Sequence, residues 1–148
     1  MSTVRSLIGS VPQNVVAIDR ERSVHETMGL MVEFEIGAVI ITEDGKPVGL
    51  FTERDVLKCW ARKEDTQYFR EIKVGDAMTT NLIIAEPDDD LCYVSTVMIK
   101  NRIRHLPVVK EQKIVGMLSI RDVVKAQVLS LQSENHYLKE YLAGDYPG

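Results

Sequence analysis

The sequence predicts a mixed α/β (α+β) protein. Two β-α-β-β-α repeats pack with pseudo-two-fold symmetry, and a long C-terminal helix follows them. Three observations carry this prediction. First, Gly49-Leu50-Phe51-Thr52-Glu53-Arg54-Asp55-Val56-Leu57-Lys58 returns as Gly116-Met117-Leu118-Ser119-Ile120-Arg121-Asp122-Val123-Val124-Lys125, at an offset of 67 residues. Second, the offset holds without gaps outside this stretch, taking Asn14 to Asn81, Met31 to Met98, Ile36 to Ile103, Lys46 to Lys113 and Val48 to Val115. Third, apolar residues recur at heptad spacing from Val124 to Leu142. A fixed-period repeat sets the architecture of a short chain. Units of roughly 50 to 60 residues bury too little surface to stand alone, so the two copies are expected to share one core.

Each element follows from local pattern. Thr3 to Ile8 reads as a short amphipathic turn or helix, and Lys73-Val74-Gly75-Asp76-Ala77-Met78 is its counterpart after a three-residue adjustment. Val15-Val16-Ala17-Ile18 is a strand candidate, matched by Leu82-Ile83-Ile84-Ala85. A helix follows each strand. Ser23 with Glu26 makes a capping box for the first, and Asp90 is the N-cap of the second, beside Asp88 and Asp89 at the positive helix end. Val24, Met28, Met31 and Val32, and likewise Leu91, Val94, Met98 and Ile99, have helical spacing. The methionines read as core filler.

Hairpins come next. Ala38 to Thr42 and Val48 to Thr52 flank Glu43-Asp44-Gly45-Lys46, where Asp-Gly is a strong turn signal. His105 to Val109 and Ile114 to Ser119 flank Lys110-Glu111-Gln112-Lys113. A second helix starts at Thr52 or Ser119. The polar segment from Arg62 to Glu71 reads as a linker, with Tyr68 and Phe69 anchoring it on the surface. The organisation expected is a first repeat with its lead-in over 1–61, a linker over 62–72, a second repeat over 73–126 and a helical extension with tail over 127–148.

The final helix is expected from Ile120 to Leu142, stopped by Gly144 and Pro147. Val124, Val128, Leu131, Asn135, Leu138 and Leu142 are spaced 4, 3, 4, 3, 4 along it. This stripe either packs on its own domain or pairs with a second chain, Asn135 then fixing the register. Tyr137, Tyr141 and Tyr146 are packing residues or part of a partner surface.

Composition narrows the function. The chain has 148 residues, 45% of them apolar, and a net charge of −4. That balance argues against a nucleic-acid binder working by phosphate neutralisation. Cys59 and Cys92 occupy non-equivalent positions and form no C-x-x-C, so neither a disulfide framework nor a zinc site is suggested. His25 and His136 have no partners at metal-ligand spacing. No apolar run reaches the length of a membrane span, and Met1 to Arg5 lack a signal-peptide core. A soluble cytoplasmic protein is expected.

Thr52-Glu53-Arg54-Asp55 and Ser119-Ile120-Arg121-Asp122 sit where a strand turns into a helix. Such a pattern caps a helix, hydroxyl first and acid three places on. The same geometry also grips a nucleotide. The helix N-terminus offers free N–H groups to phosphate, the hydroxyl adds a hydrogen bond, Arg54 or Arg121 pairs with phosphate oxygens, and the Asp accepts the ribose hydroxyls. A capping box prefers Glu or Gln at its third position, and both copies have Asp preceded by Arg. His105, alone in an apolar strand, reads as a structural residue whose protonated form Arg104 disfavours.

The chain resembles a tandem pair of cystathionine β-synthase (CBS) domains, a Bateman module. The resemblance covers about residues 11 to 126. It rests on the repeat, on Gly-x-x-[Ser/Thr]-x-x-Asp in both copies, and on Ile103-Arg104-His105-Leu106-Pro107-Val108-Val109 followed by Ile114-Val115-Gly116. It implies a stand-alone regulatory module that binds an adenosyl ligand (AMP, ADP, ATP, NAD or S-adenosylmethionine) in clefts between the copies. Asp55 and Asp122 would hold ribose. Thr52 and Ser119 would hold phosphate or ribose, with Arg54 and Arg121 beside them. Val15 and Val16, or Asn81 and Leu82, would line the base. Arg104 and His105, leading into Leu106 and Pro107, match a basic pair that faces phosphates in some relatives. The first copy has Gly37 and Ala38 there, so the cleft containing Asp122 is favoured.

The resemblance also implies a homodimer and a separate target protein, with no chemistry of the chain's own. Two other readings are a structural scaffold with empty sites and a nucleotide-acting enzyme. The enzyme would need a base and a metal or nucleophile near the phosphates, and no such cluster is apparent.

Overall fold

The computed structural model describes residues 2–10, 15–63 and 66–142. The elements are α1 (Val4–Ser10), β1 (Ala17–Asp19), α2 (Val24–Glu33), β2 (Ala38–Glu43), β3 (Lys46–Thr52), α3 (Glu53–Lys63), α4 (Thr66–Glu71), α5 (Val74–Ala77), α6 (Leu91–Lys100), β4 (His105–Lys110), β5 (Lys113–Ser119) and α7 (Ile120–Leu142). Gly144, Pro147, Tyr146 and Asn14 lie outside the described residues.

Local chemistry sets the boundaries. Ser23 Oγ accepts from the Glu26 amide at 3.0 Å. The Glu26 carboxylate pairs with Arg22 beside it. Asp90 accepts from the amides of Cys92 and Tyr93 at 2.7 and 3.3 Å. Helices α2 and α6 end alike. Glu35 and Arg102 take φ of 53° and 55°. The amides of Ile36 and Ile103 then reach back to the carbonyls of Met31 and Met98, an arrangement that satisfies the last helical carbonyls. Met31 and Met98 are buried, but Val32 and Ile99 on the same expected stripes face outward.

Sheet topology is β1-β2-β3 in the first copy, β1 parallel to β2 and β2 antiparallel to β3, and β4-β5 antiparallel in the second. The strand expected over Leu82–Ala85 does not form. A single parallel bridge, Ala85 to Val108, stands in its place. Two prolines explain this. In the first copy the amide of Ile40 donates to the Val16 carbonyl, and that of Arg20 to Thr42. The equivalent positions are Pro107 and Pro87, which have no N–H to give. Only the central bonds survive, Ala85 N–H to Pro107 O and Val109 N–H to Ala85 O, both at 2.9 Å.

The segment expected to be a linker is mostly helical. Phe69 on α4 is buried in the first copy's core rather than on the surface, with its ring 5.9 Å from that of Trp60.

The cores show how the copies combine. One contains Val24, Met31, Val39, Ile41, Phe51 and Val74. Another contains Leu91, Val94, Met98, Leu106, Leu118 and Val123, together with Val4 and Leu7. So α1, which opens the chain, is buried in the second copy, and α5, which opens the second copy, is buried in the first. The backbone bonds repeat reciprocally. Val4 N–H to Asp89 O, Arg5 N–H to Pro87 O and Leu91 N–H to Ser2 O are matched by Val74 to Arg22, Gly75 to Arg20 and Val24 to Ile72. A third cluster, Ala38, Ile40 and Leu50 against Leu82, Ile114 and Met117, joins the two sheets.

Both hairpins turn through two residues with positive φ, Asp44 and Gly45 in the first copy, Glu111 and Gln112 in the second. Glycine takes that conformation freely, while a residue with a Cβ is strained there by about 1–2 kcal/mol. Gln112→Gly is therefore expected to stabilise the chain by about 1 kcal/mol, the gain being reduced by glycine's extra freedom when unfolded. Urea unfolding of the variant beside the parent measures this.

Candidate ligand clefts between the two repeats

Helices α3 and α7 start one residue after Thr52 and Ser119, which act as N-caps. The two copies divide the capping box between them. At α3 the acid does the work, the Asp55 carboxylate accepting from Thr52 N–H at 2.9 Å and Thr52 Oγ1 at 3.2 Å. At α7 the hydroxyl does it, Ser119 Oγ accepting from the Asp122 amide at 3.1 Å.

The two acids differ accordingly. Asp55 is buried and also accepts a third donor, Thr79 Oγ1, at 3.1 Å from Oδ1. Thr79 belongs to the segment entering the second copy, whose backbone pairs with Leu50 of β3 through bonds of 3.0 and 2.8 Å. A Cβ on Gly49 would overlap Met78 and stand 3.0 Å from the Thr79 carbonyl, so only glycine admits this approach. Asp122 is half-buried, and its carboxylate accepts no hydrogen bond from a described residue.

Two clefts lie between the copies. The first, about 280 Å³, is lined by Ile40, Lys46, Pro47 and Gly49 of the first copy and by Leu82, Ile84, Pro107, Val109 and Gln112 of the second. The second, about 270 Å³, is lined by Val15, Ala17, Thr42, Gly45 and Pro47 against Gln112, Lys113 and Ile114. They are related by the repeat: Val15 corresponds to Leu82, Ala17 to Ile84, and Lys113 to Lys46. Each joins the first strand segment of one copy to the hairpin of the other. Leu82 therefore belongs with β3, the strand leading to Asp55. Val15 belongs with β5, the strand leading to Asp122.

The expected site residues separate into groups. Leu82 and Pro107 line the first cleft and Val15 the second. Thr52, Asp55, Ser119 and Asp122 stand at the far ends of β3 and β5, with Arg54 and Arg121 exposed beside them. Arg104 and Asn81 are exposed, and Val16, Ala38 and Leu106 pack into the cores. The hairpin residues Lys46, Pro47, Gln112 and Lys113 were not expected in the clefts. Lys46 and Lys113 match at the repeat offset, the one sign of them in the sequence.

His105 is half-buried where the copies meet. A Cβ on Gly37 would come within 3.0 Å of its ring and of Glu53 Oε1, so the glycine of the first copy makes room for the histidine of the second. Burial lowers the His105 pKa and Arg104 lowers it further, while Glu53 opposes both. Burial also pushes the Cys59 thiol up, with Asp55 adding to the effect and Arg62 opposing it.

A profile of the CBS domain matches residues 5–62 and 74–129. The chain belongs to the CBS domain family. It carries two CBS domains in tandem. Among curated relatives, a mitochondrial CBS domain-containing protein of Arabidopsis thaliana is 33% identical over 129 residues, 84% of this chain and 62% of that protein's length. The CBS domain-containing protein YhcV of Bacillus subtilis is 28% identical over 86% of this chain and 87% of its own. A crystal structure of a CBS-domain protein from Agrobacterium tumefaciens superposes with a TM-score of 0.79 at 32% identity, over 85% of this chain and 99% of that one. A more distant CBS domain pair, 23% identical over 88% of this chain and 98% of its own with a TM-score of 0.74, was crystallised with 5′-methylthioadenosine and S-adenosyl-L-methionine. No helix among the described residues is long and apolar enough to cross a membrane.

Two measurements follow from this geometry. Asp55→Ala removes a buried acceptor of three bonds and should cost about 2–3 kcal/mol, whereas Asp122→Ala should cost about 1 kcal/mol or less; chemical denaturation compares them. His105 has a lowered pKa in the fold, so the unfolded chain binds the proton more readily. Its contribution is fully present above the unfolded value of about 6.5 and is lost as pH falls through the folded pKa. Thermal unfolding between neutral and mildly acidic pH should show a steeper loss for the parent than for His105→Gln.

Proposed function

We propose that this CBS pair is a regulatory module that binds an adenosyl ligand, AMP, ADP, ATP, NAD or S-adenosylmethionine, on the side of β5, and thereby modulates a partner protein. The observation that carries this reading is the state of Asp122. Its carboxylate is half-buried at a helix N-terminus and has no protein donor among the described residues, while its counterpart Asp55 is saturated. A carboxylate so placed accepts the two hydroxyls of a ribose without first giving up bonds inside the fold. Ser119, Arg121 and Arg104 supply donors for phosphate. The apolar walls at Val15 and Ala17 suit the base. The adenosyl complex of the distant CBS pair supports the ligand class.

Binding shifts how the two copies pack only as far as the ligand prefers one arrangement over another. The reciprocal seating of α1 and α5 provides that link, because a change at one repeat's lead-in is felt in the other repeat's core.

The test is thermal unfolding with each of the five ligands, on the parent, Asp55→Ala and Asp122→Ala, each against its own ligand-free baseline. A ligand at about 100 times its Kd adds about 2.7 kcal/mol. Stabilisation by one or more ligands that disappears in Asp122→Ala and persists in Asp55→Ala is expected. Stabilisation lost only in Asp55→Ala would move the site to the other cleft. No stabilisation by any ligand would leave the chain as a scaffold.

A further inference from the structure

Helix α7 runs 23 residues, and among the described residues its core contacts lie at its start. Val123 is buried and Ala126 packs against the second copy's core. Gln127 donates to Ser95 Oγ at 3.0 Å. Beyond that the heptad stripe is uncovered: Val124 is 41% exposed, Val128 45%, Leu131 63%, Leu138 56% and Leu142 83%. The stripe is therefore not the helix's contact with its own domain. The seam from Val124 to Leu142 is about 28 Å long at 1.5 Å per residue.

We infer that this face is covered by α7 of a second copy of the chain, in a parallel, in-register two-stranded coiled coil. The choice of partner and direction rests on three features of the seam. Val128 and Asn135 alternate with Leu131 and Leu138, and a β-branched residue at the first core position with leucine at the second favours two parallel strands. A lone asparagine in the seam needs an amide opposite it. In parallel register Asn135 faces the second copy's Asn135, whereas an antiparallel pairing centred on the seam sets it against leucine, with its hydrogen-bonding groups buried and unmet.

Charge agrees. Glu134 and Lys139 flank the seam on opposite sides, five residues apart, and both side chains are exposed. In the parallel pair, Glu134 of each helix meets Lys139 of the other. In the antiparallel pair, Lys125 meets Lys139 and Glu134 meets Glu134. The flanking charges thus attract in one direction and repel in the other.

The geometry puts both CBS pairs at the same end of the coil, with the two-fold axis running along α7. The seam begins at Val124, two residues past Asp122, and its pairing requires no bound ligand.

The test is disulfide trapping in the full chain. Val128→Cys is made with Cys92→Ser, so that the exposed native thiol cannot react, and the protein is equilibrated in a glutathione redox buffer. A covalent dimer through residue 128 is expected. It should fall at least tenfold in yield when Leu131→Glu and Leu138→Glu are added. Because those leucines are exposed in the single chain, the doubly substituted chain should still unfold cooperatively, with α-helical signal and midpoint lowered only by the loss of the coil. Failure of the 128–128 bond to form overturns the inference. So does a bond that forms equally well with both glutamates present. Mixing Val128→Cys chains with Leu138→Cys chains tests direction: preferential 128–138 crosslinking would mean antiparallel helices and would overturn it as well.

Discussion

The structure depends on one exchange. Each repeat's lead-in helix, α1 or α5, is seated in the core of the other repeat by three backbone hydrogen bonds and a fully buried valine, Val4 or Val74. Burying such a side chain is worth about 1.5–3 kcal/mol, and here each valine completes a core that its own repeat does not contain. Neither repeat can therefore unfold without opening the other. The clefts inherit their position from the same exchange, because it fixes which first strand segment lies beside which hairpin.

Internal symmetry is then broken by single residues. Pro87 and Pro107 cut a parallel ladder to one bridge. Thr79 supplies a hydroxyl to the buried Asp55, while the Asp122 carboxylate accepts from no described residue. Gly37 makes room for His105, while Ala38, the residue matching His105, carries only a methyl group. None of these changes alters the fold. Each changes which polar groups are bonded within the fold where the two copies meet.

The helix N-termini show why the motif had two meanings. A hydroxyl and an acid three residues apart satisfy amides whether or not a ligand is present. At α3 the acid is consumed by capping and by Thr79. At α7 the hydroxyl caps and the acid is left over. The acid of the pattern is thus bonded within the fold in one copy and accepts from no described residue in the other, a difference set in part by Thr79, 24 residues from Asp55.

By itself the sequence determined the repeat, the order of elements within the first copy, the hairpin turns, the caps at Ser23 and Asp90 and the extent of α7. These depend on residues within a few positions of one another, where spacing is a direct record of geometry. The ladder-breaking prolines were in view too, but their effect needs the pairing register, which is not local. Only the tertiary structure decided that the lead-in helices change places, that Phe69 is core rather than surface, that Leu82 belongs with the Asp55 side and Val15 with the Asp122 side, and that the α7 stripe is uncovered. Each of these is a contact between segments far apart in the chain. A repeat is symmetric in sequence whether its copies pack on themselves or on each other, so spacing alone cannot tell the two apart.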